Sequence, residues 1–206
     1  MAIKTSLNYS PNFDPKKRKA NQIKFLIFHY TGMRTEKAAI KRLTDIKSEV
    51  SSHYLIKQNG QVITLVPDLY IAWHAGRSKW KKHESLNKNS IGIEITNPGH
   101  SFGYKKFPKQ QMLSLIKLTK FLISKYKINK KNILGHSDIA PDRKKDPGEK
   151  FPWKHLSKKK IGYWHSLNQK ILAKKRFLKI TNLQKKLFYK DIYKIGYSKK
   201  IPLNLK

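Results

Sequence analysis

Apolar and polar positions alternate along this chain with two periods. Residues 23–29, IKFLIFH, form a short apolar run closed by Thr31 and Gly32, which predicts a buried strand ending at His29. In IGIEITN (91–97), Ile91, Ile93 and Ile95 alternate with Gly92, Glu94 and Thr96, the pattern of a central strand with two unlike faces. NILGH (132–136) predicts a further short strand, ending at His136. Two β-prone runs flank Asn59-Gly60 in residues 53–66, a hairpin signal. The helical period governs residues 35–46, with Ala38, Ile40, Leu43 and Ile46 as inward positions. After Pro108 it governs residues 109–126, where Met112, Leu115, Ile116, Leu122, Ile123 and Tyr126 recur at three- and four-residue steps. This order of elements predicts an α/β domain, a central mixed β-sheet flanked by helices.

The pattern also divides the chain. Residues 1–22 are polar, with Pro11, Pro15 and the run Lys16–Lys19, and read as an N-terminal arm. Residues 23–157 carry the periodic segments and form the expected main domain. Residues 158–206 are basic, with their apolar residues scattered over one or two short helices, and read as a helical extension. Residues 67–90 hold Trp73, His74, Trp80 and His83 without a clear period, as a functional loop would.

Composition narrows the chemistry. The chain has no cysteine, which excludes disulfides, thiolate metal sites and cysteine nucleophiles. With 46 Lys and Arg against 12 Asp and Glu, the formal charge is +34, which draws anionic partners and makes their binding salt-sensitive. The excess is mostly lysine and accompanies no nucleic-acid motif, so no specific nucleic-acid partner is expected. Acidic residues are scarce, and two stand out by position: Glu94 inside an apolar strand and Asp146 in a Pro-rich loop after His136. No apolar run reaches the roughly 18–20 residues of a membrane span. The first 22 residues carry no secretory signal pattern, so the expected location is cytoplasmic, with the periplasm as the alternative.

His29 and His136 each close an apolar strand, and Asp146 lies in the loop that follows the second. Two imidazoles and one carboxylate leave the fourth corner of a tetrahedron open, the donor set of a catalytic zinc. With eight histidines in the chain, the same residues also suit hydrogen-bonded structural roles. Glu94, on the pleat face opposite the isoleucines, suits a general base or a buried ion pair. Lys144 either points into the same cleft, where it would stabilise an oxyanion, or is one solvated member of Arg143-Lys144-Lys145.

Taken in order, HYTG (29–32), SSHYLI (51–56), AWHAG (72–76), SIGIEITN (90–97) and GHSDIAPDRKKDPG (135–148) resemble the type-2 N-acetylmuramoyl-L-alanine amidases. That family includes AmpD-like zinc amidases and is related to phage-type amidases and peptidoglycan recognition proteins. The resemblance implies the type-2 amidase fold. It also implies hydrolysis of the amide between the muramoyl lactyl group and L-alanine in peptidoglycan or muropeptides. By position, His29, His136 and Asp146 match the ligands of one Zn²⁺ per chain. Glu94 matches the catalytic carboxylate and Lys144 the transition-state stabiliser. His74, Trp73 and Asn97 are expected to line the substrate cleft, and His53 to be structural. The expected partners are peptidoglycan fragments or muropeptides, acted on by a monomer. The alternative is a muropeptide-binding protein without catalysis. Some relatives carry a three-helix wall-binding module at the C-terminus, and the polar extension here matches at most a remnant of it.

Overall fold

The computed structural model describes residues 4–199. The chain begins with β1 (Ser6–Leu7), β2 (Phe13–Asp14), β3 (Phe25–Tyr30) and α1 (Glu36–Thr44). The hairpin β4 (Tyr54–Ile56) and β5 (Val62–Thr64) follows, then β6 (Ile71–Ala72), β7 (Lys79–Trp80) and β8 (His83–Glu84). Next come β9 (Ser90–Ile95), α2 (Lys109–Tyr126), β10 (Ile133–Gly135) and α3 (His136–Ile139). Three more helices complete it: α4 (Trp153–Lys158), α5 (Gln169–Lys175) and α6 (Asn182–Ile195).

Six strands form one mixed sheet in the order β1-β5-β4-β9-β3-β10. Only the hairpin pair β4/β5 is antiparallel. The parallel ladders place the carboxyl ends of β9, β3 and β10 side by side at one edge of the sheet, where open α/β sheets bind ligands. The register aligns His29 with Glu94 and Phe28 with Gly135.

Side-chain alternation assigns the two faces. Leu26 and Phe28 of β3 join Ile91, Ile93 and Ile95 of β9 in the larger core, against Met112, Leu115, Ile116 and Leu122 of α2. Phe25 and Ile27 point the other way and pack with Ala75, Trp80, Leu86, Leu134 and Ile139. His29, Ser90, Gly92 and Glu94 therefore share that second face, beneath the segment that joins β6 to β9. Gln111 locks α2 in place, its amide donating to the carbonyls of Ile56 and Thr96.

Helix α1 departs from the expected inward set. Ala39 rather than Ala38 is buried with Leu43, and Ile46 is 67% exposed. Asp45 ends the helix and accepts from the Lys47 amide, starting a tight 3₁₀ turn that swings Ile46 outward. The N-terminal arm is tied to the body. It pairs with β5 and β6, and the buried Arg18 guanidinium donates to the carbonyls of Asp68 and Asn87. The C-terminal extension also returns to the body: Tyr197 donates to Asp138 at 2.6 Å and the Lys81 amide to the Gly196 carbonyl at 2.7 Å. Among the described residues, no helix is long and apolar enough to cross a membrane.

Asp68 fastens the loop after β5 to α2 and β4. Its carboxylate accepts from Tyr54 Oη and Tyr126 Oη, both at 2.6 Å, and from Lys125 Nζ at 2.9 Å. Burial raises its pKa, but these three donors outweigh burial and hold it below the ordinary value. Asp68→Ala strands the buried Tyr54 hydroxyl. It is expected to lower unfolding free energy in urea by about 2 kcal/mol, with Asp68→Asn losing less. The difference between wild type and Asp68→Ala should shrink as pH falls below the unfolded carboxylate value, because the wild-type advantage requires the ionised form.

Candidate active site and metal centre

The parallel strand ends deliver the chemistry. His29 is the fifth residue of β3 and faces Glu94 across the ladder. His136 is the first residue of α3, immediately beyond β10, not the last residue of the strand as the sequence pattern predicted. The Asp146 loop is docked by two hydrogen bonds. The Ser137 amide donates to the Asp146 carbonyl at 2.8 Å, and the Tyr104 hydroxyl to the Pro147 carbonyl at 2.6 Å. Asp146 is thereby held against the first turn of α3.

The three side chains meet. His29 Nδ1 and His136 Nδ1 are 2.9 Å apart, and each lies 3.1 Å from Asp146 Oδ2. All three residues are buried. His136 Nε2 lies 3.1 Å from the Ala75 carbonyl, which can only accept, so Nε2 carries the proton and Nδ1 presents a lone pair. Donors at about 2.0–2.2 Å from one tetrahedral ion are separated by about 3.3–3.5 Å. The observed triangle is close to that size, and its nitrogen and oxygen donors suit zinc. The electrostatics agree. Burial and the neighbouring His136 depress His29 to about 4, so its imidazole is neutral at pH 7. Burial raises Asp146, but the two imidazoles beside it outweigh this and hold its carboxyl well below the usual range.

These residues open onto a cleft of about 400 Å³, which Glu94, Lys144 and Trp73 also line. Glu94 Oε2 is buried without a hydrogen-bond partner. Burial first, and then the Asp146 charge, push its carboxyl up to about 8, with Lys144 pulling the other way. A carboxylate in this state is poised to exchange a proton near neutrality. Trp73 is anchored through Nε1 to Asp14 Oδ1 at 3.0 Å, which ties one wall of the cleft to the N-terminal arm.

Of the expected cleft residues, His74 and Trp73 line the cleft and Asn97 does not. The Asn97 amide donates to the Lys105 carbonyl and accepts from the Gly99 amide, organising the turn after β9. His74 reaches the cleft only from behind His29, and both its ring nitrogens are occupied, Nδ1 by His29 and Nε2 by Ser90. The His74 ring therefore has no free nitrogen to offer a substrate. His53 is buried, accepting from the Gly92 amide through Nδ1 and meeting Arg18 through Nε2. Pattern reading did not single out three groups at the site: Ser90, the Ala75 carbonyl, and Arg143, which donates to that same carbonyl at 2.6 Å. The available signal was the small, polar face of β9, where Ser90 and Gly92 precede Glu94.

The profile of the N-acetylmuramoyl-L-alanine amidase family matches residues 19–149. N-acetylmuramoyl-L-alanine amidase AmiD of Escherichia coli strain K12 is 43% identical over 155 residues, covering 69% of this chain and 55% of that protein. The 1,6-anhydro-N-acetylmuramyl-L-alanine amidase AmpD of Haemophilus influenzae is 34% identical over 162 residues, covering 70% of this chain and 85% of that protein. This chain spans 55% of the length of AmiD and likewise of E. coli AmpD. Among solved structures, the E. coli AmiD complex with anhydro-N-acetylmuramic acid-L-Ala-D-gamma-Glu-L-Lys superposes with a TM-score of 0.74 at 33% identity. It covers 89% of this chain and 75% of that one. AmpDh3 of Pseudomonas aeruginosa, in complex with an anhydromuramic pentapeptide, gives 0.73 at 29% identity, covering 93% and 79%.

The Glu94 environment has a measurable consequence. In the zinc-free folded chain its proton is held to about pH 8, whereas the unfolded chain releases it near 4.5. Folding is therefore favoured by the protonated form, and stability falls as pH rises between those values. Thermal melts in EDTA should find Glu94→Gln more stable than wild type at pH 8–9, by several degrees, with the two converging toward pH 4.5. Parallel melting curves across that range would contradict the assignment.

Proposed function

The chain belongs to the N-acetylmuramoyl-L-alanine amidase family, and on that premise we propose that it hydrolyses the amide joining the muramoyl lactyl group to L-alanine. The substrate class is a muropeptide or peptidoglycan fragment, and the cofactor is one zinc ion held by His29, His136 and Asp146. The observation that carries this reading is the meeting of these three donors beside a partnerless carboxylate oxygen of Glu94, in a cleft that also holds Lys144. The catalytic unit is assigned to residues 23–157, with the arm before it paired to that unit and the extension after it touching the unit through Gly196 and Tyr197.

A zinc ion bound here supplies Lewis acidity, polarising the amide carbonyl and making water more acidic. The chain's own groups do the rest. Glu94, ionised, takes a proton from the attacking water as its oxygen adds to the carbonyl carbon. The Lys144 ammonium, in the same cleft, offsets the negative charge that develops on the carbonyl oxygen. When the C–N bond breaks, Glu94 returns its proton to the departing amine of L-alanine, and the lactyl group leaves as a carboxylic acid. Trp73 presents a large ring on the cleft wall for the sugar or stem peptide to pack against. The basic surface favours a substrate that carries peptide carboxylates.

Mass spectrometry of products from soluble anhydro-muropeptides and from intact sacculi tests the reading. The expected products are free L-Ala-peptides and peptide-free muramoyl sugar, formed without EDTA and absent with it. Binding without turnover would instead support the non-catalytic alternative. Metal analysis should find one zinc per wild-type chain and its loss in His29→Ala and Asp146→Ala. Glu94→Gln should keep the zinc and lose turnover by about 10²–10⁴-fold. Lys144→Met should also keep it and lose about 10²-fold in kcat.

A further inference from the structure

Behind the proposed metal centre runs a chain of hydrogen bonds whose proton positions are all determined by its far end. Ser90 Oγ lies 2.6 Å from the Leu86 carbonyl oxygen, which can only accept. The single hydroxyl proton of Ser90 is therefore directed there. The same Oγ lies 3.0 Å from His74 Nε2, so it accepts from that nitrogen, and His74 carries its proton on Nε2. His74 is buried, with His29 against its Nδ1 and the His53 ring beside it. A neutral ring protonated on Nε2 has a lone pair on Nδ1. That atom lies 3.0 Å from His29 Nε2, which must then be the donor. His29 is left with its lone pair on Nδ1, the atom that meets His136 and Asp146.

We propose that Ser90 and His74 are positioning residues for the metal centre, fixing the tautomer and orientation of His29 so that Nδ1 is presented unprotonated to the ion. The inference rests on the zinc amidase reading above and adds residues to it. His136 has a simpler device of the same kind, its Nε2 turned to the Ala75 carbonyl. Both imidazoles are thus set from behind by groups that end on backbone carbonyls, the second-sphere arrangement that strengthens metal binding.

Strand β9 is built for this chain. Ser90, Gly92 and Glu94 occupy alternate positions on one face. A Cβ on Gly92 would lie 2.3 Å from His74 Cγ, so the missing side chain is the seat of the His74 ring. The backbone of that ring is fixed as well, because Asn87 Oδ1 accepts from the amides of His74 and Ala75. One strand face therefore supplies the hydroxyl that directs the protons, the space for the ring that transmits them, and the carboxylate at the cleft.

The experiment uses the full chain. Long-range ¹H–¹⁵N correlation spectra of the zinc-free wild type at pH 8 should give both His29 and His74 as neutral rings protonated on Nε2. A His29 or His74 ring protonated on Nδ1 overturns the proposal, and this readout needs no variant to fold. Zinc affinity is then measured by competition with a fluorescent chelator for wild type and Ser90→Ala, with circular dichroism as the folding control. The expected result is wild-type ellipticity with zinc affinity weakened about 10–100-fold, and a second His74 tautomer in the spectrum. Affinity within twofold of wild type overturns the relay while leaving the amidase reading intact. A wild-type chain that binds no zinc overturns both.

Discussion

Two imidazole nitrogens and a carboxylate oxygen held 2.9–3.1 Å apart inside a protein repel one another unless a positive charge is shared among them. The architecture accepts that repulsion and enforces it. Parallel pairing of β3 with β9 and β10 carries His29 and His136 to one sheet edge. The Ser137 and Tyr104 hydrogen bonds then press the Asp146 loop against them. Burial, with His136 beside it, holds His29 far below neutrality, so that imidazole brings no positive charge of its own. A divalent ion satisfies all three donors, which is why zinc is the central element of the proposed function.

The same logic explains how a chain with so large an excess of lysine uses its few acids. Asp68, buried, and Asp138, half-buried, sit where hydroxyls or amides donate to them, Asp68 from Tyr54 and Tyr126, Asp138 from Gly135 and Tyr197. Those two acids hold the fold. Asp146 has imidazoles for neighbours, and Glu94 has an oxygen with no partner. An acid left unsatisfied in a buried position raises its own pKa, the property a general base near neutrality requires. Lys144 supplies an opposing charge.

Much of this was legible in residue order, for identifiable reasons. The helix at 109–126 follows from unbroken apolar periodicity, and the strands at β3 and β9 from short β-rich runs, because in both cases one buried face dictates spacing. His29 and His136 stood out at the ends of apolar strands, Glu94 inside one and Asp146 in a Pro-rich loop, and the family resemblance joined them into one site. Ile46 misled because Asp45 diverts the chain one residue before the pattern would turn it inward. Asn97 was expected in the cleft from the family resemblance, yet its amide holds the following turn. His74 sits in a segment without a period, so only coordinates reveal that it stands behind His29. Ser90 carried no signal of its own, since a serine at a strand start is unremarkable until its two hydrogen bonds are seen. The bonding of the N-terminal arm was equally hidden: its short strands pair with β5 and β6, and Arg18 donates to carbonyls distant in sequence.

The most direct test of the central claim is X-ray absorption at the zinc edge of the loaded protein. The account predicts two imidazole rings at about 2.0–2.1 Å and oxygen donors at about 2.0–2.2 Å, four ligands in all. His136→Ala should remove one imidazole contribution. A spectrum with no imidazole scattering, or one unchanged by that substitution, would contradict the claim that these three side chains share one ion.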